Sequence, residues 1–206
     1  MTRLRRSIRI VLAAASISSG SVLVASAATN PCEPEILRAA DRYRIPLGIL
    51  YAVGLTETGM KGSLQPNALN IQGKAVFPVS RSAAIAAFEE ARRGGARLID
   101  LGCMQINHRY HSGHFRSLGD MLDPKQNVDY AARYLLTLKH RHDTWSMAVA
   151  RYHAGPNNNP AQKQYVCRVI SNMVATKARL RLEREGDYVW FSVSGPDGKL
   201  AHAASG

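Results

Sequence analysis

Glu57 is the residue around which a reaction is most readily built. Leu50, Val53 and Glu57 recur at i, i+3 and i+7, which puts the carboxyl on the apolar face of a helix. Burial among apolar side chains disfavours the ionised form of a carboxylic acid, so an acid on such a face can keep a proton that a fully solvated one would lose. A retained proton is what glycosidic cleavage calls for, because the bridging oxygen leaves poorly until an acid protonates it. The stretch from Thr58 to Phe88 contains no Asp or Glu, so no second carboxylate lies close to Glu57 along the chain. Asp100, Asp123, Asp129 and Asp143 approach it only if the chain folds back, and Asp123 already has the setting of a helix cap. Glycosidases that use two carboxylates hold them about 5 to 9.5 Å apart. A single-acid mechanism is therefore the simpler expectation.

The elements that must position this acid read as helices. Ile36, Leu37, Ala40 and Tyr43 after Pro34 form a first apolar stripe, which Pro46 ends at Arg44 or Ile45. The helix bearing Glu57 begins there, and Gly59 is expected to stop it in the left-handed conformation. Residues 61–79, rich in Gly, Pro and Asn, predict a loop, and Ser82 to Arg93 ahead of Gly94-Gly95 predict a short inserted helix. Leu98 to Ile106 is a compact apolar run, extended or irregular. Asp123-Pro124-Lys125-Gln126 supplies the N-cap, first-turn proline and N3 glutamine of a helix start. Val128, Ala131, Ala132, Leu135 and Leu138 carry that helix to about His142. Trp145, Ala148, Val149 and Tyr152 stripe the next, closed by Gly155-Pro156, and Asn159-Pro160-Ala161-Gln162 opens another through Tyr165, Val169, Ile170 and Met173. The expected fold class is all-α: one helical domain over 28–176 with an inserted loop and helix. A basic C-terminal appendage, 177–206, follows, in which Tyr188 to Val193 and the turn Gly195-Pro196-Asp197-Gly198 suggest a short β-like tail.

Three segments occur in a telling order: Gly54-Leu55-Thr56-Glu57-Thr58-Gly59, Gly102-Cys103-Met104-Gln105-Ile106 and Ala150-Arg151-Tyr152-His153-Ala154-Gly155-Pro156. Together they resemble the three ordered motifs of soluble lytic transglycosylase (SLT) domains, over roughly Glu33 to Val174, and extend the likeness to the VirB1-like members that act beside secretion machines. The resemblance implies a fold of the lysozyme-like α+β superfamily and a reaction on peptidoglycan. In it Glu57 protonates the oxygen between N-acetylmuramic acid and N-acetylglucosamine, then as carboxylate takes the proton of the muramoyl 6-hydroxyl. That hydroxyl closes on the anomeric carbon, giving a 1,6-anhydro end without consuming water, while the substrate's N-acetyl group supports the developing cation. Carried over by position, Met104 and Gln105 line the sugar cleft and Tyr152 reaches the carboxylate or the acetamido group, with Tyr165 and Asn107 as further candidates. For Met104 and Tyr152 a place in the core is the alternative.

Three departures stand out. The whole stretch from Met60 to Leu101 separates Glu57 from the Gly-x-Met-Gln motif, where the family has a short link with a serine; Asn70 stands nearest that serine's place. His153 occupies the position of a family asparagine, and Pro160-Ala161-Gln162 precede Tyr165 where an acidic residue is frequent. A hydrolysing muramidase, and a non-catalytic wall-binding or secretion-assembly protein, are the competing readings.

Residues 1–27 carry Arg3, Arg5, Arg6 and Arg9, an apolar run from Ile10 to Val24 broken by serines and Gly20, and a final Ala25-Ser26-Ala27. That is the plan of a cleavable signal peptide and not of a retained anchor, since a spanning helix needs about 20 apolar residues. The expected product is a soluble periplasmic monomer. The full chain's 27 basic and 15 acidic residues give a formal charge of +12, and removing the signal takes four arginines and no acids, so the mature chain stays basic. Anionic wall polymers suit that charge; nucleic acid suits the charge but not the export. Export also permits a disulfide. Of Cys32, Cys103 and Cys167, the expected pair is Cys32 with Cys167, each at or in a helix near an end of the fold, with Cys103 read as a small buried hydrophobe. His108, His111 and His114 are spaced like metal ligands, but no thiol or carboxylate completes the set and Gly113 spoils a common helical face, so neither metal nor cofactor is expected.

Overall fold

The computed structural model describes residues 30–60, 62–155, 157 and 159–183, with side chains as far as Thr176. The helices expected from apolar spacing are present: α1 (Cys32–Tyr43), α2 (Leu47–Thr58), α3 (Arg81–Arg93), α6 (Pro124–His142), α7 (Trp145–Ala154) and α8 (Asn159–Glu183), with two short ones, α4 (His108–His111) and α5 (Leu118–Met121), between the third and the sixth. Their starts follow local chemistry. Asp123 accepts a hydrogen bond from Gln126 N with Pro124 in the first turn, Ser80 accepts from Ala83 N, and Thr144 from Met147 N. The last helix runs past Thr176 to Glu183 without a break.

Helix α2 lies at the centre. Gly48, Leu50, Tyr51, Ala52, Val53 and Gly54 are all buried, so it is covered on all sides and not along one stripe, as befits a helix in the middle of a fold. A Cβ at Gly54 would sit 3.0 Å from Leu64 and 3.2 Å from both Ile36 and Met104, so the missing side chain lets three neighbours close on the helix one turn before Glu57. Gly59 ends α2, but its φ of −60° is ordinary, which corrects the expected left-handed stop. Its glycine identity answers to space: a Cβ there would lie 2.3 Å from the Leu55 carbonyl oxygen.

The segment expected to be a loop and the apolar run after it form a small sheet instead. Strands β1 (Leu69–Ile71), β2 (Lys74–Val76), β3 (Ile99–Leu101) and β4 (Ile106–Asn107) pair antiparallel in the order β2-β1-β3-β4. Strands of two or three residues are too short to display alternation along the sequence. Their register is informative. Leu69 faces Leu101, which faces Ile106, and all three are buried; the next row is Asn70, Asp100 and Asn107, each partly exposed. Alternation thus sends an apolar face to the core and a polar row to the other side. The protein is a single helical domain carrying this sheet.

The disulfide joins Cys32 to Cys103, not Cys32 to Cys167 as expected. Both partners are fully buried where the start of α1 meets the turn after β3. Cys167 is free and exposed, because it lies between the inward-facing Tyr165 and Val169 and so points off the other side of α8. Among the described residues no helix is long and apolar enough to cross a membrane. The expected signal peptide, 1–27, and the β-like tail lie outside the described residues.

One thiol, that of Cys167, should label in the native oxidised chain. Replacing Cys32 and Cys103 together by Ala should cost about 2 to 5 kcal/mol in urea unfolding, since the bond closes a long loop, whereas Cys167→Ala should stay within about 0.5 kcal/mol.

Candidate active site

Glu57 sits in the last turn of α2 with its side chain 12% exposed. Across from it, on α8, Tyr165 is fully buried and its hydroxyl donates to Glu57 Oε1 at 2.6 Å. His153 of α7 stacks flat on the Tyr165 ring, centroids 4.3 Å apart, and brings its Nδ1 to 3.9 Å from the same Oε1. The Arg168 guanidinium lies over that ring at 5.7 Å. Burial above all, and then the Glu57 carboxylate, hold the Tyr165 phenol well above its ordinary range. It therefore remains a donor at any physiological pH.

Tyr152 does something different from what its position implied. Its hydroxyl donates to the Met104 carbonyl at 2.8 Å, so it ties α7 to the Gly-x-Met-Gln turn, and the tyrosine bonded to the carboxylate is Tyr165. Burial, then the charge of Glu57, push the Tyr152 phenol well up, and Tyr134 packs against its ring at 5.7 Å. Met104 contributes through its backbone: the side chain is fully buried against the Gly54 face of α2, which settles it as core. Gln105, at φ 47°, spends its amide group on the Ala68 and Gly102 carbonyls at 3.1 and 3.0 Å and so braces the turn.

The turn itself is fixed by a residue that the sequence reading passed over. Asn127, fully buried in the first turns of α6, donates to Leu101 O at 2.9 Å and Met121 O at 2.8 Å and accepts from Met104 N at 2.9 Å. Gly102 has φ +73°, and a Cβ there would meet Asn127 Nδ2 at 2.8 Å, so glycine is required on both counts. The available signal was a polar residue four positions before Ala131, on the apolar stripe of α6. At the other end Thr58 Oγ1 donates to Cys103 O at 3.0 Å, coupling the end of α2 to the same turn.

Asn70, nearest the place of the family serine, accepts through Oδ1 from Gly73 N at 2.8 Å and closes the β1–β2 turn. Asn107 donates through Nδ2 to Asp100 Oδ1 at 2.6 Å while its Oδ1 accepts from Arg109 N at 3.0 Å. Asp100 is the unexpected member. The sheet folds it back toward the acid, so that burial, opposed by the Asn107 hydrogen bond and reinforced by the Glu57 charge, raises its carboxyl above the usual range. Of the four aspartates that could approach Glu57 only by folding back, Asp100 is the one on which the Glu57 charge acts.

The three histidines spaced like metal ligands pack on aromatic rings: His108 on Phe88 at 4.7 Å, His114 on Tyr130 at 5.1 Å, and His111 with its Nδ1 2.7 Å from the Tyr130 hydroxyl. What the site offers chemically is a largely enclosed carboxyl group, a permanent phenol donor on it, and a second carboxyl on the neighbouring sheet.

The sequence profile of a family described as Transglycosylase SLT domain matches residues 35–171, a span that takes in every residue of this site. No curated protein and no solved structure matches the chain.

Asn127→Ala strands two buried carbonyls and one buried N–H, and should lower stability by about 3 kcal/mol or more. Gly102→Ala should lower it by about 1 to 3 kcal/mol through backbone strain and the clash with the Asn127 amide. Urea unfolding of each variant measures both.

Proposed function

The chain belongs to the transglycosylase SLT domain family, and from that premise we propose that it is a peptidoglycan lytic transglycosylase in which Glu57 serves first as acid and then as base. The observation that supports this most is the enclosed Glu57 carboxyl with the Tyr165 hydroxyl 2.6 Å from Oε1. Glu57 passes its proton to the oxygen bridging N-acetylmuramic acid and N-acetylglucosamine, and the carboxylate left behind is the species that the buried phenol donor is suited to hold. The muramoyl 6-hydroxyl then attacks the anomeric carbon and returns its proton to Glu57, leaving a 1,6-anhydro end. Tyr152, Gln105 and Asn127 keep the turn at 102–105 in place beside the acid, and His153 and Asn107 stand at the edge of the cleft.

In this reading residues 1–27 direct export and the domain over 28–176 acts in the periplasm as a monomer on glycan strands, with the 177–206 appendage left for other contacts. Action beside an envelope secretion machine, as in VirB1-like members, belongs to the same proposal.

Digestion of purified peptidoglycan sacculi with mass analysis of the products tests it. The parent should release muropeptides lighter by one water than hydrolysed ones, which separates a lytic transglycosylase from a hydrolysing muramidase and from a non-catalytic wall-binding protein. Glu57→Gln should lose about 100- to 10,000-fold in rate, the range for removing a general acid. Tyr165→Phe should lose about 100- to 1000-fold, as for loss of one donor to a developing charge. Equal clearance of sacculi by Glu57→Gln and parent would remove Glu57 from its role.

A further inference from the structure

We infer that Asp100 is a second functional carboxylate of this cleft, which supports the positive charge that develops at the muramoyl anomeric carbon; the inference rests on the reading of Glu57 as the acid. The placement comes first from register. In β3 the side chains of Ile99 and Leu101 are fully buried in the core, so alternation turns Asp100 to the opposite face, in line with Asn70 on β1 and Asn107 on β4. On that face the charges acting on Asp100 come from Glu57 of α2 and His153 of α7, and Asp100 in turn acts on Tyr152 of α7. The polar row of the sheet therefore looks across to the acid.

The second observation is what Asp100 lacks. Glu35, Asp120, Asp123 and Asp129 each meet an arginine, in a chain with 27 basic residues. Among the described residues Asp100 forms no ion pair with Lys or Arg; one oxygen accepts from the Asn107 amide at 2.6 Å. A partly buried carboxylate held without a cation is unfavourable in the resting protein. It becomes favourable when a positive charge forms between it and Glu57. When Glu57 transfers its proton, the bond between the anomeric carbon and the bridging oxygen breaks, and the electron pair leaves with the N-acetylglucosamine hydroxyl. The ring is then cationic. Asp100 forms no bond; it stabilises that cation until the 6-hydroxyl closes and its proton returns to Glu57. The N-acetyl group of the substrate then shares a task that it would otherwise carry alone.

Only ionised Asp100 can do this. Burial, and to a lesser extent Glu57, raise its carboxyl while Asn107 and His153 oppose them, so the support belongs to the higher-pH side of its titration. It is lost as pH falls through a value above the usual aspartate range.

The processed full chain is assayed on soluble peptidoglycan strands for kcat and KM from pH 4 to 8, with Asp100→Asn and Asp100→Glu beside the parent. Asp100→Asn should lose about 10- to 1000-fold in kcat, the range for removing an electrostatic stabiliser, with KM within about twofold. It should also lose the parent's acid limb and melt at the parent's temperature, and Asp100→Glu should recover part of the rate. A kcat for Asp100→Asn within about twofold of the parent overturns the inference, as does equal loss in the Asn and Glu variants. Should Asp100→Asn not fold, the parent decides: a kcat that stays flat down to pH 4 overturns it. An active parent with an unimpaired Asp100→Asn sinks Asp100 alone, whereas a parent that releases no products sinks the reading of Glu57 and takes Asp100 with it.

Discussion

In the proposed reaction a carboxyl group gives up a proton and takes one back, so it has to be held in one place without being locked away from its substrate, and the hydrogen bond from Tyr165 to Glu57 is where this fold meets that constraint. The bond spans two helices far apart in sequence, so it exists only if α2 and α8 pack closely. Asn172 of α8 adds a second tie by donating to Thr56 Oγ1 at 2.9 Å. Gly54 in turn admits Leu64, Ile36 and Met104 to the surface of α2. His153, lying flat on Tyr165, closes the side toward α7. Close packing and an enclosed acid are thus one feature, since loosening α2 would admit water to Glu57.

The rest of the cleft hangs from a turn whose backbone is held by side chains. Cys103 anchors it to the start of α1 through the disulfide, Asn127 saturates the carbonyls and N–H around it, Tyr152 and Thr58 bind two of its carbonyls, and Gln105 folds back upon it. Most of these contacts are to backbone, so the motif residues Gly102 and Met104 shape the turn through conformation and packing. Holding a loop rigid in this way fixes the distance between sheet and helix, which the proposed chemistry would need.

Much of this was legible beforehand, for identifiable reasons. Asp123, Pro124 and Gln126 specify a helix start through local hydrogen bonding and a fixed φ, and the apolar neighbours of Glu57 four and seven positions back signal its enclosed position on α2. Contacts between distant segments were not legible. Nothing local in Cys32, Cys103 or Cys167 says which two meet; that follows from the packing of α1 on the turn after β3. The strands were too short to alternate visibly, and with them went Asp100, whose place beside Glu57 depends wholly on sheet register. Tyr152 and Tyr165 both sit on inward stripes, and spacing cannot tell which hydroxyl meets a carbonyl and which a carboxylate. Gly59 was rightly marked as a stop, yet for a φ that it does not adopt.

The central claim is that residue 57 lies against the bond to be broken. A crystal structure of Glu57→Gln with a bound glycan strand containing N-acetylmuramic acid tests it most directly. The account predicts the bridging oxygen within about 3.2 Å of the residue-57 side chain, hydrogen-bond reach for a proton donor, with the Tyr165 hydroxyl still against the other side of that group. A strand bound elsewhere on the protein, or one whose glycosidic oxygen lies beyond reach of residue 57, would contradict it.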